Sequence, residues 1–337
     1  MTAKAVLVGA GGMGRNWGSN LNAHPDVQIA GWVDLRPGAA AAAAAGLGMS
    51  PAYTGDDLGK AIAEAKPDFV VDVTIPEAHY DVTLTALSAG VPVLGEKPMA
   101  SSMAEAREMV VASEASGTLY MVSQSRRYDA RIWAYRALIE DKIGALGILN
   151  SDFYLGAHFG GFRDEMAHVL LLDMAIHTLD AARYVSGADP VSVYCEEFNP
   201  SWSWYAGASS ATALFEMTGG LRYTYRGSWC AEGQPTSWEA DWRAVGPGGT
   251  AFWDGENAPT ASVVTGKDGF QRDFETVTAA VDSDVPGGIA GSLNDFLNAL
   301  QTGATPMGEC HDNIKSLAMV FAAIESAQTG QRVLVQP

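Results

Sequence analysis

Short apolar runs rich in β-branched residues punctuate the first third of the chain, at Lys4–Val8, Gln28–Asp34, Asp68–Ile75, Val91–Gly95 and Leu119–Ser123. Between them lie helical candidates near Met13–Ala23, Leu58–Ala65, Ala78–Ala89 and Met103–Ser116. Strand and helix alternating in this way is the order of βαβ units, so an α/β domain with a doubly wound parallel sheet is predicted. The alanine run Ala39–Ala45, between Gly38 and Gly46, predicts a short surface helix after the second strand, because alanine has the highest helix propensity. Nothing in that run suggests a function.

From about Ser125 the pattern changes. Two helical segments, Arg131–Glu140 and Val169–Val185, precede alternating, aromatic, strand-like runs with Gly and Pro turns from Val191 to Thr265. Helix returns at Ser292–Gln301 and Cys310–Thr329, each followed by a glycine suited to a C-terminal cap (Gly303, Gly330), before a last strand at Arg332–Val335. The expected division is a first domain over 1–123 and a sheet-rich second domain over 124–337, with its last helix and strand in 310–335.

Composition narrows the classes. The 337 residues exceed one typical domain, and 47% hydrophobic against 18% charged excludes disorder and a coiled coil. The net charge of −18 repels phosphate backbones and anionic lipid, so neither nucleic acid nor a membrane surface is an expected partner. Three distant cysteines, Cys195, Cys230 and Cys310, form neither a metal spacing nor a closed disulfide set, and the N-terminus leads straight into an apolar strand with no room for an export signal. A soluble, cytoplasmic protein is expected.

Gly9-Ala10-Gly11-Gly12-Met13-Gly14 is a G-x-G-x-x-G placed directly after the first strand and opening the first helix. Glycines there permit a tight turn, close approach of a pyrophosphate to the backbone, and helix-on-strand packing. Asp34, at the end of the second strand, is placed to accept hydrogen bonds from an adenosine ribose and to repel a 2′-phosphate. NAD is therefore the expected cofactor, while Arg36, two residues on, keeps NADP open. Glu96-Lys97-Pro98 falls at the carboxyl edge of the sheet, where such folds bind ligands.

In the second domain Asp173 and His177 are four residues apart, which on a helix puts them on one face, one turn apart. Such a histidine suits proton transfer and such a carboxylate orients it or holds a hydroxyl; a satisfied core pair is the plainer alternative. A metal reading that adds His168 matches no standard site, and no metal is expected.

Together Gly9–Gly14, Glu96-Lys97-Pro98, Ser125-Arg126-Arg127-Tyr128, Asp173-Met174-Ala175-Ile176-His177 and the tail Ala322–Val333 run through the whole chain in order. In these the sequence resembles the Gfo/Idh/MocA oxidoreductases, named for glucose–fructose oxidoreductase, inositol dehydrogenase and a rhizopine-catabolism protein. The resemblance implies a Rossmann domain followed by an α/β domain with a large, mostly antiparallel sheet. It implies that Lys97, Asp173 and His177 converge beside a nicotinamide as catalytic residues, and that Gly9, Gly11, Gly12, Met13, Gly14, Asp34, Arg36, Thr74, His79, Glu96, Lys97 and Gln124 contact the cofactor. Arg127 and Arg163 join Lys97, Asp173 and His177 as candidate substrate ligands.

The activity so implied is metal-independent hydride transfer between NAD(P) and a hydroxyl-bearing carbon of a sugar or cyclic polyol. The proton is moved by His177 or Lys97. Six tryptophans, Trp202, Trp204, Trp229, Trp238, Trp242 and Trp253, fall in the sheet-rich stretch, where they either stack on a sugar or pack the sheet. A homo-oligomer, dimer or tetramer, formed through that sheet is expected. A catalytically silent cofactor-binding regulator and a dehydrogenase for a non-sugar substrate such as a dihydrodiol are the alternatives.

Overall fold

The structure, a computed structural model, describes residues 2–337. They form two units: residues up to Ser125 with Ile289–Ile314, and Arg126–Gly288 with Lys315–Pro337.

The first unit is built on six parallel strands, β1 (Ala3–Val8), β2 (Val27–Val33), β3 (Tyr53–Gly55), β4 (Phe69–Asp72), β5 (Val93–Glu96) and β6 (Tyr120–Ser123), in the order β3-β2-β1-β4-β5-β6. Val6, Leu7, Phe69, Val70, Val71, Val93 and Leu94 are fully buried, because a parallel sheet is covered on both faces. Helices α1 (Gly12–Ala23), α2 (Ala39–Gly46), α3 (Leu58–Ala65), α4 (Pro76–Ser88) and α5 (Met103–Ser116) connect the strands. Asp57 caps α3 by accepting from the Lys60 amide, and Ser102 caps α5 by accepting from the Glu105 amide. Strand order reverses between β1 and β4, which fixes the crevice where doubly wound folds hold ligands.

Three details differ from the sequence reading. The edge strand β3 is only three residues long and leaves almost no alternation to read. β4 stops at Asp72 rather than continuing to Ile75, because the Asp72 carboxylate accepts from the Thr74 amide at 3.0 Å and closes a turn ahead of Pro76. The late helix α8 (Gly288–Thr302) packs with the first unit: Phe296 meets Phe69 edge-on at 5.5 Å, and His24 Nε2 lies 3.0 Å from Asn294 Oδ1.

The second unit carries nine strands, β7 (Ile148–Tyr154), β8 (Pro190–Phe198), β9 (Ser210–Met217), β10 (Arg222–Ser228), β11 (Asp241–Gly246), β12 (Gly249–Trp253), β13 (Thr260–Val264), β14 (Phe274–Thr278) and β15 (Val333–Leu334). Their order is β14-β13-β12-β11-β7-β10-β9-β8-β15, antiparallel throughout except for the β7–β10 pair. β7 and β14 lie outside the strand runs expected from the sequence. Helices α6 (Ala130–Leu138) and α7 (Ile176–Ser186) pack on this sheet, and α9 (Cys310–Thr329) leads into β15.

The helix expected over Val169–Val185 begins as a π-helical turn, Leu170–Ala175, before α7 takes over. Trp229, Trp242 and Trp253 are buried and pack the second unit, whereas Trp202 and Trp238 are exposed. Among the described residues no helix is long and apolar enough to cross a membrane.

Candidate active site

The four glycines of the first turn do two different jobs. A Cβ on Gly14 would lie 2.1 Å from the Gly9 carbonyl oxygen, and one on Gly9, whose φ is +102°, would lie 2.5 Å from that of Val73. Both positions are closed to any side chain. A Cβ on Gly11 or Gly12 would meet nothing within 4 Å, so these two leave bare backbone at the N-terminus of α1. The first turn of α1 holds no acidic residue, and its amides and dipole suit an anion. This cradle fits a dinucleotide pyrophosphate.

Asp34 closes one side of the cradle. It accepts from the Ala10 amide at 2.7 Å and, through both oxygens, from Arg36 Nε and Nη2, each at 2.9 Å. The Arg36 side chain, opposed slightly by burial, holds the Asp34 carboxyl down at about 2. Beside the pair lies a cavity of about 240 Å³ lined by Ala10, Arg15, Arg36 and the small residues of α2. The alanine helix, silent in the sequence, thus forms one wall next to Asp34.

Across the switch point, buried Asp72 organises the next group. Its carboxylate accepts the Thr74 hydroxyl at 2.6 Å and pairs with His79 Nδ1 at 2.8 Å. Burial works against a charged His79, yet Asp72 outweighs it and raises the imidazole above its usual value. Glu96 Oε1 accepts from the Trp17 indole at 2.6 Å and Oε2 from the Lys97 amide at 3.1 Å, while burial raises its carboxyl. The Lys97–Pro98 peptide bond is cis. His79 Nε2 and Gln124 Nε2 are buried with no partner among the described residues, two polar atoms that a bound group at this edge would satisfy. Trp17 and Asp72 escaped the sequence reading; neither belongs to a motif, and only the fold brings them to Glu96 and His79.

In the second unit Asp173 sits in the π-helical turn and His177 in the first turn of α7, so their spacing is not that of a regular α-helix. A π-turn adds a residue to the helical repeat and is frequent at functional sites. Arg163 forks onto Asp173, Nε at 2.8 Å and Nη2 at 3.2 Å, with its guanidinium over the rings of Phe159 (5.0 Å) and Phe162 (4.8 Å). Arg126 reaches Met174 Sδ at 3.3 Å and Glu239 at 3.5 Å and donates to the Trp238 carbonyl.

Arg127 is placed elsewhere. It is buried and bidentate to Asp180, Nε and Nη2 both at 2.7 Å, and Asp180 also accepts from Ser316. That guanidinium is committed to the core of the second unit. His168 pairs with Glu197 at 2.5 Å.

The sequence pattern described as "Oxidoreductase family, NAD-binding Rossmann fold" matches residues 3–124, and that of the "GFO/IDH/MocA C-terminal domain" matches residues 104–252. The chain belongs to the Gfo/Idh/MocA oxidoreductase family. Similarity extends over full lengths: 27% identity to a 1,5-anhydro-D-fructose reductase of Ensifer adhaerens, covering 98% of each chain, and 28% to a D-apiose dehydrogenase of Paraburkholderia graminis, covering 98% of this chain and 89% of that one. Among solved structures, an oxidoreductase from Agrobacterium radiobacter in complex with NAD+, L-tartaric acid and magnesium shares the fold, with a TM-score of 0.86, 22% identity and 99% of each chain covered. As a Gfo/Idh/MocA protein, the chain has an NAD-binding Rossmann domain, and the matched residues 3–124 include the Gly9–Gly14 turn.

Proposed function

We propose that this protein is a cytoplasmic, NAD-dependent dehydrogenase that oxidises a secondary hydroxyl of a sugar or cyclic polyol. The observation that carries the reading is Asp173, four residues ahead of His177 and held by a fork from Arg163, whose guanidinium lies over two aromatic rings. Carboxylates accept sugar hydroxyls, and aromatic faces suit sugar C–H faces. Relatives named for D-apiose and 1,5-anhydro-D-fructose support the same substrate class.

Bound NAD+ supplies the hydride acceptor. His177 takes the hydroxyl proton as general base, and Lys97 donates a hydrogen bond to the same oxygen and stabilises its developing negative charge. Asp173 orients the sugar. Glu96, accepting the Lys97 amide, fixes the backbone from which that lysine extends. Gly11 and Gly12 present amides to the pyrophosphate, and Asp34, ionised down to about pH 2, favours a ribose diol over a 2′-phosphate. Arg127 has no part in substrate binding in this proposal. A second copy of the chain covers the outer face of the second sheet, where Ile148, Tyr194 and Leu214 are exposed.

The test is a panel of aldoses, inositols and sugar acids with NAD+ or NADP+, followed by reduced-cofactor absorbance. Turnover with NAD+, lost by about 10²–10⁴-fold in Lys97→Ala and His177→Ala at unchanged NAD+ affinity, is expected. Near-normal turnover in both variants overturns the assignment, and a flat panel points to a cofactor-binding regulator.

A further inference from the structure

Beyond Asp173 the second unit holds aromatic surface that a single sugar ring does not need. Arg163 connects them: its guanidinium forks onto Asp173 and lies over the rings of Phe159 and Phe162. Phe159 is 6.5 Å from Trp238, and Trp229 backs both, edge-on, at 5.2 Å and 5.6 Å. Trp229 is buried, so Phe159 and Trp238 have a rigid floor, and Phe162, which shares the Arg163 guanidinium with Phe159, extends this surface; Phe162 is 67% exposed and Trp238 49% exposed. Large aromatic faces held open by a packed floor, and joined through one guanidinium to the carboxylate that grips the substrate, form a stacking surface.

The charges exclude one class of occupant. Arg163 is matched by Asp173, and Arg126 by Glu239 at 3.5 Å, so neither cation is left over for a phosphate or a sugar carboxylate. What the patch offers is flat, apolar contact with no net charge.

The geometry points to Phe162 and Trp238 as a subsite for a second ring, so that the substrate is an uncharged glycoside, a sugar bearing another pyranose or an aryl aglycone, rather than a free monosaccharide. This rests on the dehydrogenase reading above and adds the size of its substrate. The chemistry at the reacting carbon is unchanged: the carbinol becomes a ketone, its hydrogen and two electrons leave as hydride to NAD+, and the hydroxyl proton leaves to the base. The glycosidic bond is untouched.

The test compares methyl β-D-glucopyranoside, cellobiose and phenyl β-D-glucopyranoside. For the intact enzyme with NAD+, kcat/KM for cellobiose or the phenyl glycoside exceeds that for the methyl glycoside by at least about tenfold, a gain of about 1.4 kcal/mol. Cellobiose against the phenyl glycoside separates a pyranose from an aryl ring. Phe162→Ala collapses the ratio towards one, Phe162→Trp retains it, and Phe274→Ala, at an exposed aromatic on the edge strand β14, leaves it unchanged.

Calorimetric titration of the same three ligands into the NADH complex reads binding without turnover. Tighter binding of the two-ring ligands, lost in Phe162→Ala, supports the subsite even if none is oxidised, in which case only the choice of reacting sugar fails. Equal binding and equal kcat/KM for all three, or a ratio insensitive to Phe162→Ala, overturns it.

Discussion

Asp34 and Arg36 grip each other at two points, Nε to Oδ1 and Nη2 to Oδ2, each at 2.9 Å. While the pair holds, the arginine is unavailable to a 2′-phosphate and the carboxylate stays ionised. Asp34→Ser releases the guanidinium and removes the repelling charge. Steady-state kinetics with both cofactors are expected to shift the NADP-to-NAD ratio of kcat/KM upward by about 10–100-fold, from loss of one charge–phosphate repulsion and gain of one charged hydrogen bond. An unchanged ratio removes Asp34 as the selecting residue.

The glycines of the cradle separate folding from binding. Gly14→Ala drives a methyl group to 2.1 Å from the Gly9 oxygen, so it should lower the melting temperature by many degrees and abolish NAD+ binding. Gly12→Ala meets no protein atom within 4 Å. Its melting temperature should match the parent protein, while the NAD+ dissociation constant rises at least about tenfold, as a methyl group enters the space left for the pyrophosphate. Calorimetry and fluorescence titration check both.

Arg127 is buried and forks onto Asp180 within the second unit. Arg127→Leu strands Asp180 in the interior with its charge unmatched by the guanidinium, at a cost of about 3–5 kcal/mol. Chemical denaturation measures it. A loss below about 1 kcal/mol would show that Asp180 finds a substitute in neighbouring Ser316 and its surroundings.

His79 gives the protein a directed pH response. Its imidazole titrates above the usual value because Asp72 overrides the cost of burial. A raised folded-state value means the stabilisation is complete below the unfolded value near 6.5 and disappears as pH rises through the folded one. The melting-temperature gap between the parent and His79→Gln should therefore be widest near pH 6 and shrink towards pH 9. A gap that widens with pH contradicts this.

The βαβ rhythm, the glycine turn and Glu96-Lys97-Pro98 were legible because each is a local pattern whose physics acts over a few residues. β3 and β7 were not: β3 is too short to alternate, and β7 lies between two helices whose patterns dominate its neighbourhood. The π-turn under Asp173 was invisible because one added residue of helical repeat leaves no trace in an apolar segment. Arg163 was readable as a candidate from its glycine-rich loop, but its fork onto Asp173 was not. Arg127 and Arg163 looked alike as arginines near motifs; only burial, and the identity of the facing carboxylate, distinguishes them.

The pairing of His24 with Asn294 imposes a timetable on the ribosome. The two residues lie 270 positions apart, so at roughly 5–20 residues per second the first unit waits roughly 15–55 s for α8 after His24 has been made. During that interval the nascent chain carries a Rossmann sheet with the α8 side of Phe69 uncovered, while the strands of the second sheet emerge behind it. The unit encoded first is thus completed only after most of the other has been synthesised, and a message truncated before codon 289 would leave the first unit without the helix that covers Phe69.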